Sequence, residues 1–106
     1  MSFFFFFFCA DRKASEKDLA GIAQAIGLNW EMLGASLGVS KVTIEQIKMD
    51  HRFSTVEQIY YMLVEWKRNK GANATLEKLF AHFQESQSTS INWEHIEENL
   101  GLKSKN

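Results

Sequence analysis

The stretch N-W-E-M-L-G-A-S-L-G-V-S-K-V-T-I-E-Q-I, Asn29 to Ile47, reads as two short helices joined at a sharp corner. Trp30 to Leu37 forms the first, Gly38 and Val39 the corner, and Ser40 opens the second. Leu33, Leu37, Val39, Ile44 and Ile47 recur at spacings that point them one way from helices on either side of a turn. Gly38 can take the positive φ that ends a helix. The Ser40 hydroxyl can cap the next one. Gly34 supplies a small residue where the two helices cross.

The rest of the chain bounds what this corner can belong to. The 106 residues are enough for one domain with a single modest core. Hydrophobic residues make up 45% and charged residues 24%, the balance of an ordinary globular domain. A net charge of −1 gives the domain as a whole no bulk attraction for nucleic acid or acidic membranes. The single cysteine excludes an intramolecular disulfide framework and fits a reducing, cytoplasmic compartment. Proline is absent, so its usual interruption of helices is absent too. With few strand-like alternations, the expectation is an all-α fold.

In chain order, Phe3 to Phe8 are six consecutive phenylalanines, followed by Cys9. A bilayer span needs about 20 apolar residues, so the run is too short to cross. It lacks the basic region and cleavage site of a secretory signal. Residues 1–14 are read as a leader and charged lead-in without an independent fold, 15–101 as the domain, and 102–106 as a tail. Ser15-Glu-Lys-Asp18 is a capping-box pattern. Leu19, Ile22, Ala23 and Ile26 then give one buried helical face, stopped by Gly27. Asn29 is positioned to cap the second helix, with Trp30 as a core anchor. The third helix should end near His51.

Ser54-Thr-Val-Glu57 is a second capping box. The longest helix follows, with Val56, Ile59, Tyr60, Leu63 and Trp66 in a stripe and Met62 beside it. A face that broad predicts a central helix touched by several others. It ends with Lys67, Arg68 and Lys70, cations that suit the negative end of a helix dipole. Asn73 is positioned to cap a fifth helix carrying Leu76, Leu79, Phe80 and Phe83. Asn92 is positioned to cap a sixth with Trp93, Ile96 and Leu100 inward. Glu85, Glu94, Glu97 and Glu98 make this last region acidic.

No catalytic constellation stands out. His51, His82 and His95 are scattered, and no pair has metal-ligand spacing with cysteines or carboxylates. The glycines stand singly rather than in a phosphate-binding loop. The expectation is a non-enzymatic chain with no cofactor and no metal.

Two readings of the opening stretch follow. L-G-V-S-K-V-T-I-E-Q-I resembles a helix-turn-helix core, in which Ser40, Lys41, Val42 and Thr43 would reach base edges. DNA affinity comes largely from Lys and Arg on phosphates, however, and this third helix balances Lys41 and Lys48 against Glu45 and Asp50. The second reading uses the whole chain. Trp30-Glu-Met-Leu33 leads into Leu37-Gly-Val-Ser40 and Ile44-Glu-Gln-Ile47. Glu57-Gln58, Met62-Leu63 and Trp66 follow, then Gly71-Ala-Asn-Ala-Thr75-Leu76 and Leu79. In that order the sequence resembles the death domain, of the death-domain superfamily. It departs from the family pattern in its phenylalanine leader and at Gly34, where alanine is more usual.

That resemblance implies a six-helix antiparallel bundle of Greek-key, death-fold architecture. It implies a protein-interaction module that binds copies of itself or other death-domain proteins, building signalling oligomers in apoptosis or innate immunity. Clustering such domains raises the effective concentration of whatever is attached to them. The basic fourth-helix end (Lys67, Arg68, Lys70) and the acidic fifth-to-sixth-helix region (Glu85, Glu94) resemble the two halves of one asymmetric contact. Head-to-tail contacts of that kind propagate open assemblies. A second candidate contact sets Arg12, Lys13 and Lys17 against Glu31 and Glu45. A purely structural role, as a helical domain packed inside a larger protein, is a third reading.

Overall fold

Six α-helices run through the described residues, 12–86 and 88–100, of a computed structural model. They are α1 (Glu16–Ala23), α2 (Trp30–Ser36), α3 (Lys41–Asp50), α4 (Thr55–Lys70), α5 (Leu76–Glu85) and α6 (Trp93–Leu100). A single 3-10 turn, Gly71–Asn73, joins α4 to α5. The readings of Phe3 to Phe8, Cys9 and residues 102–106 lie outside the described residues.

Side-chain caps start most of these helices, because the first backbone N–H groups of a helix have no partner within it. The Ser15 hydroxyl accepts from the Asp18 N–H at 3.1 Å, and the Asp18 carboxylate accepts from the Ser15 N–H at 3.0 Å. The capping box read from the sequence is therefore complete. Ser40 accepts from the Thr43 N–H, Ser54 from the Glu57 N–H, and Asn92 from the His95 N–H. Two expected caps are corrected. Asn29 sits in the left-handed region at φ 65° and makes no cap bond, because its amide donates to the Ser88 carbonyl at 2.8 Å. At α5 the cap is Thr75 rather than Asn73, whose place in the 3-10 turn leaves Thr75 at the helix start.

The corner between α2 and α3 has the expected form. Gly38 lies at φ +92°, a conformation that glycine adopts without steric penalty. Leu33, Leu37, Val39, Ile44 and Ile47 are all buried.

The core gathers on α4, which packs against α1, α2 and α3. Ile59, Met62, Leu63 and Trp66 are at most 1% exposed. Met62, expected beside the stripe, is thus at its centre. Val56 is a correction: as the second residue of α4 it is 45% exposed, while Gln58 is buried in the same part of the helix. Gln58 is tolerated there because its amide donates to the His51 carbonyl at 3.0 Å. Phe80 and Phe83 meet Trp93 edge-on, with centroids 5.8 and 6.0 Å away, which fixes α6 against α5.

Helix α1 is shorter than the sequence reading. It ends at Ala23 with Gln24 as C-cap, before Gly27. The chain from Ala25 to Asn29 instead pairs with the connector between α5 and α6. The Gly27 N–H donates to the Ser90 carbonyl, the Ser90 N–H to Leu28, and the Asn92 N–H to Ala25. These long-range bonds compete successfully with another helical turn because they satisfy backbone groups on two loops together.

Gly34 sits where α2 meets α3 and α4. A Cβ built there would lie 3.0 Å from Ile44 Cδ1 and 3.1 Å from Met62 Cγ. Both neighbours belong to flexible side chains that can shift by a few tenths of an ångström. Alanine would also add about 1 kcal/mol of helix propensity. The expected result is that Gly34→Ala changes stability in urea by less than about 1 kcal/mol, whereas Gly34→Leu loses about 1–3 kcal/mol to overpacking. A large loss on Gly34→Ala would show that Ile44 and Met62 cannot give way.

Candidate interaction surfaces

Lys67, Arg68 and Lys70 occupy the last turn of α4, where cations oppose the negative end of the dipole. Lys67 Nζ lies 3.7 Å from Glu16 Oε1, and Arg68 Nη1 lies 3.6 Å from Glu65 Oε1. Both pairs are long. The Arg68 side chain is 75% exposed, so its pair with Glu65 is worth little in water. The fold therefore leaves Arg68 and Lys70 presented outward.

Lys13 joins this face by a tertiary route. The Ala14 N–H donates to the Ala74 carbonyl at 2.8 Å, and the Leu76 N–H donates to the Arg12 carbonyl at 3.0 Å. The lead-in is thereby laid beside the start of α5. Lys13 then lines a shallow depression with Glu16, Val64, Lys67, Arg68 and Gly71. Basic residues from two of the sequence-predicted contacts form one surface.

Arg12 is held differently. Its guanidinium forks onto Asp18, with Nη1–Oδ2 at 2.6 Å and Nη2–Oδ1 at 3.3 Å. Burial of Asp18 by itself raises its pKa. The Arg12 hydrogen bonds and charge, with the bonds from Ser15, outweigh that burial and hold the carboxyl below its ordinary value of 3.8. A carboxyl whose folded-state pKa is depressed favours folding when ionised. That contribution is complete at neutral pH and is lost as pH falls below about 3.8 through the folded-state value. Thermal midpoints followed by circular dichroism should fall in acid. Asp18→Asn should lose about 1 kcal/mol at neutral pH and show a smaller acid-induced fall. An identical acid profile in the variant would remove Asp18 from the account.

The remaining expected residues are dispersed. Lys17 and Glu45 are exposed. Glu31 pairs with Lys48 at 3.2 Å, tying α2 to α3 within one molecule. Glu85 shares a depression with Lys70, Trp66, Lys78 and His82, so an acid and a base expected on opposite halves of a contact meet on one face. Glu94 stands exposed in the first turn of α6.

On the outer face of α2 and α3 the sequence reading names Lys41, Val42 and Thr43 as possible base contacts and the charged Glu31, Glu45 and Lys48, but not Met49 or Phe53. Val42 is 80% exposed, Met49 70%, and Phe53 in the following loop 91%. Val42 and Met49 are seven residues apart, opposite the buried Ile44 and Ile47, so helical spacing alone contained that signal. This is the face that a helix-turn-helix would turn toward DNA. It carries exposed apolar side chains beside Lys41, whose charge the exposed Glu45 offsets, and Ser40 bonds Thr43 through its hydroxyl at 2.9 Å. Among the described residues no group of three or more His, Cys, Asp or Glu could hold a metal ion. No helix of the described residues is long and apolar enough to cross a membrane.

Comparison with known proteins agrees with this architecture. Ankyrin-1 of Mus musculus is 27% identical over 99 residues, covering 93% of this chain. Ankyrin-1 of Homo sapiens is 31% identical over 70 residues, covering 66% of it. The chain spans only 5% and 4% of the length of these two relatives. The family profile described as Death domain matches residues 16–103, from the first turn of α1 to beyond the end of α6. With six helices, the Gly38 corner and the buried Trp30 and Trp66 all inside that match, the chain belongs to the death domain family.

Proposed function

We propose that residues 15–101 form a homotypic interaction module that binds copies of itself or other death domains in the cytoplasm. By doing so it assembles signalling oligomers of the kind used in apoptosis or innate immunity. Membership of a family of protein–protein interaction domains supports the class. The observation that carries the reading is the exposed basic end of α4, whose ion pairs are weak enough to be exchanged for a partner's acids.

In this contact Arg68 and Lys70 of one copy meet Glu94 on the next, and Glu85, expected on the acidic half, shares a depression with Lys70 instead. The two patches differ, so the contact is heterologous and each copy keeps one half unused for a further neighbour. Complementary charge sets orientation and on-rate, and packing around it supplies the remaining affinity. The second candidate contact is weaker on two counts. Arg12 is engaged by Asp18, and Glu31 by Lys48. Light scattering of wild type against Arg68→Glu tests the reading. Unchanged assembly in a variant with intact helicity would sink it.

A further inference from the structure

We propose that the depression between the end of α4 and the outer face of α5 binds a phosphorylated polyol, a small molecule with a phosphate monoester beside free hydroxyls. Three consecutive elements assemble the site. Lys70 comes from the last turn of α4, Asn73 from the 3-10 turn, and Lys78, Ala81, His82 and Glu85 from α5. The α5 residues stand at i, i+3, i+4 and i+7, so they share one face, apart from the buried Leu79, Phe80 and Phe83. The small side chain of Ala81 leaves the middle of that face low, and the depression holds about 290 Å³. That is just under the range of drug-sized ligand pockets, about 300–1,000 Å³, and suits a single phosphorylated ring.

Two observations set the chemistry of the occupant. The first is unspent positive charge. Among the described residues neither Lys70 nor Lys78 has an ion-pair partner, unlike Lys48 and Lys67. Glu85 lines the same depression without pairing with either lysine. Two ammonium groups match the double charge and terminal oxygens of a phosphate monoester, whereas the carboxylate of a protein partner brings a single charge. The second observation is the polar remainder. The Glu85 carboxylate accepts hydrogen bonds and repels a second anion, the Asn73 amide donates and accepts, and the His82 ring adds a further nitrogen. A ligand anionic at one end and hydroxylated at the other answers all of them. Inorganic phosphate leaves Glu85 unanswered, and an acidic protein side chain leaves both Glu85 and one lysine. This proposal does not rest on the homotypic reading.

Proton–nitrogen correlation NMR of the full chain tests it, at a protein concentration where light scattering shows no self-association. Inositol monophosphate should shift the amide signals of Asn73, Lys78, His82 and Glu85 saturably. Inositol and inorganic phosphate should each bind roughly tenfold more weakly, and so should inositol monophosphate to Lys70→Gln/Lys78→Gln. Ala81→Leu fills the depression without changing charge. Position 81 is exposed and leucine is a good helix former, so this variant should stay folded and lose binding. Arg52→Gln makes the same charge change per site before the opposite end of α4 and should bind as wild type. Circular dichroism confirms that each variant is folded. Absent shifts overturn the proposal, as does inorganic phosphate binding as tightly as the ester. Full binding by Ala81→Leu or by the double lysine variant also overturns it. Vesicles carrying phosphatidylinositol 4-phosphate offer the same monoester on a lipid headgroup. Once soluble binding is seen, co-sedimentation that Ala81→Leu abolishes marks the headgroup as the source and its absence marks the soluble ester, and either upholds the site. Self-association is read separately by light scattering without ligand, so either result can fail while the other stands.

Discussion

Trp66→Ala should destabilise the domain by about 3–5 kcal/mol, enough to populate the unfolded state of a protein this small. Trp66 is 1% exposed and is among the largest fully buried side chains. It lies on α4, the helix against which α1, α2 and α3 all pack. Removing the indole loses its transfer free energy and leaves a cavity in the core. The same truncation at Val56, on the same helix but 45% exposed, should change stability by less than about 0.5 kcal/mol. Urea unfolding followed by circular dichroism measures both. A shifted midpoint with an unchanged slope marks a loss of stability rather than a change in the unfolded state. A loss at Trp66 below about 1 kcal/mol would contradict the packing described above.

Arg68→Glu should weaken self-assembly roughly tenfold to a hundredfold, or about 1.4–2.7 kcal/mol. The substitution replaces an attraction to Glu94 of the neighbouring copy with a repulsion. Its effect on the fold should be small. It puts two acids three residues apart at Glu65 and position 68, and places a negative charge at the negative end of α4. Those changes together amount to about 1 kcal/mol. Glu94→Arg in the same chain restores an opposite-charge pair across the contact, since each copy then presents an acid where its neighbour presents a base. Assembly should recover in the double variant. Light scattering across protein concentration reads all three forms. Failure of the second substitution to rescue the first would show that Arg68 faces something other than Glu94.

The elements were legible in the sequence to different degrees, and for physical reasons. Ser15, Ser40, Ser54 and Asn92 could be read as caps because a cap is local: acceptor and N–H lie three residues apart. Asn29 and Asn73 could be misread for the same reason. A capping side chain is a possibility that a distant partner can override, as the Ser88 carbonyl does for Asn29. The early end of α1 follows from bonds between residues more than sixty apart, which no local pattern encodes. The sequence identified every cation of the basic face but divided them between two contacts. Lys13 and Lys67 are far apart along the chain, and only the pairing of residues 12–14 with 74–76 unites them.

The stretch from Asn29 to Ile47 shows where the division falls. By itself the sequence determined the corner at Gly38, the start of α3 at Ser40 and the inward face of Leu33, Leu37, Val39, Ile44 and Ile47. Backbone preference, capping and helical period all act within a few residues. Tertiary structure decided which way the remaining surface is used. It set Gly34 against Ile44 and Met62. It also gathered Lys13, Lys67 and Arg68 at the far end of α4. A local pattern specifies which face of each helix is buried. Only the packing of helices distant in sequence specifies which exposed residues become neighbours, and an interaction surface is made of those neighbours.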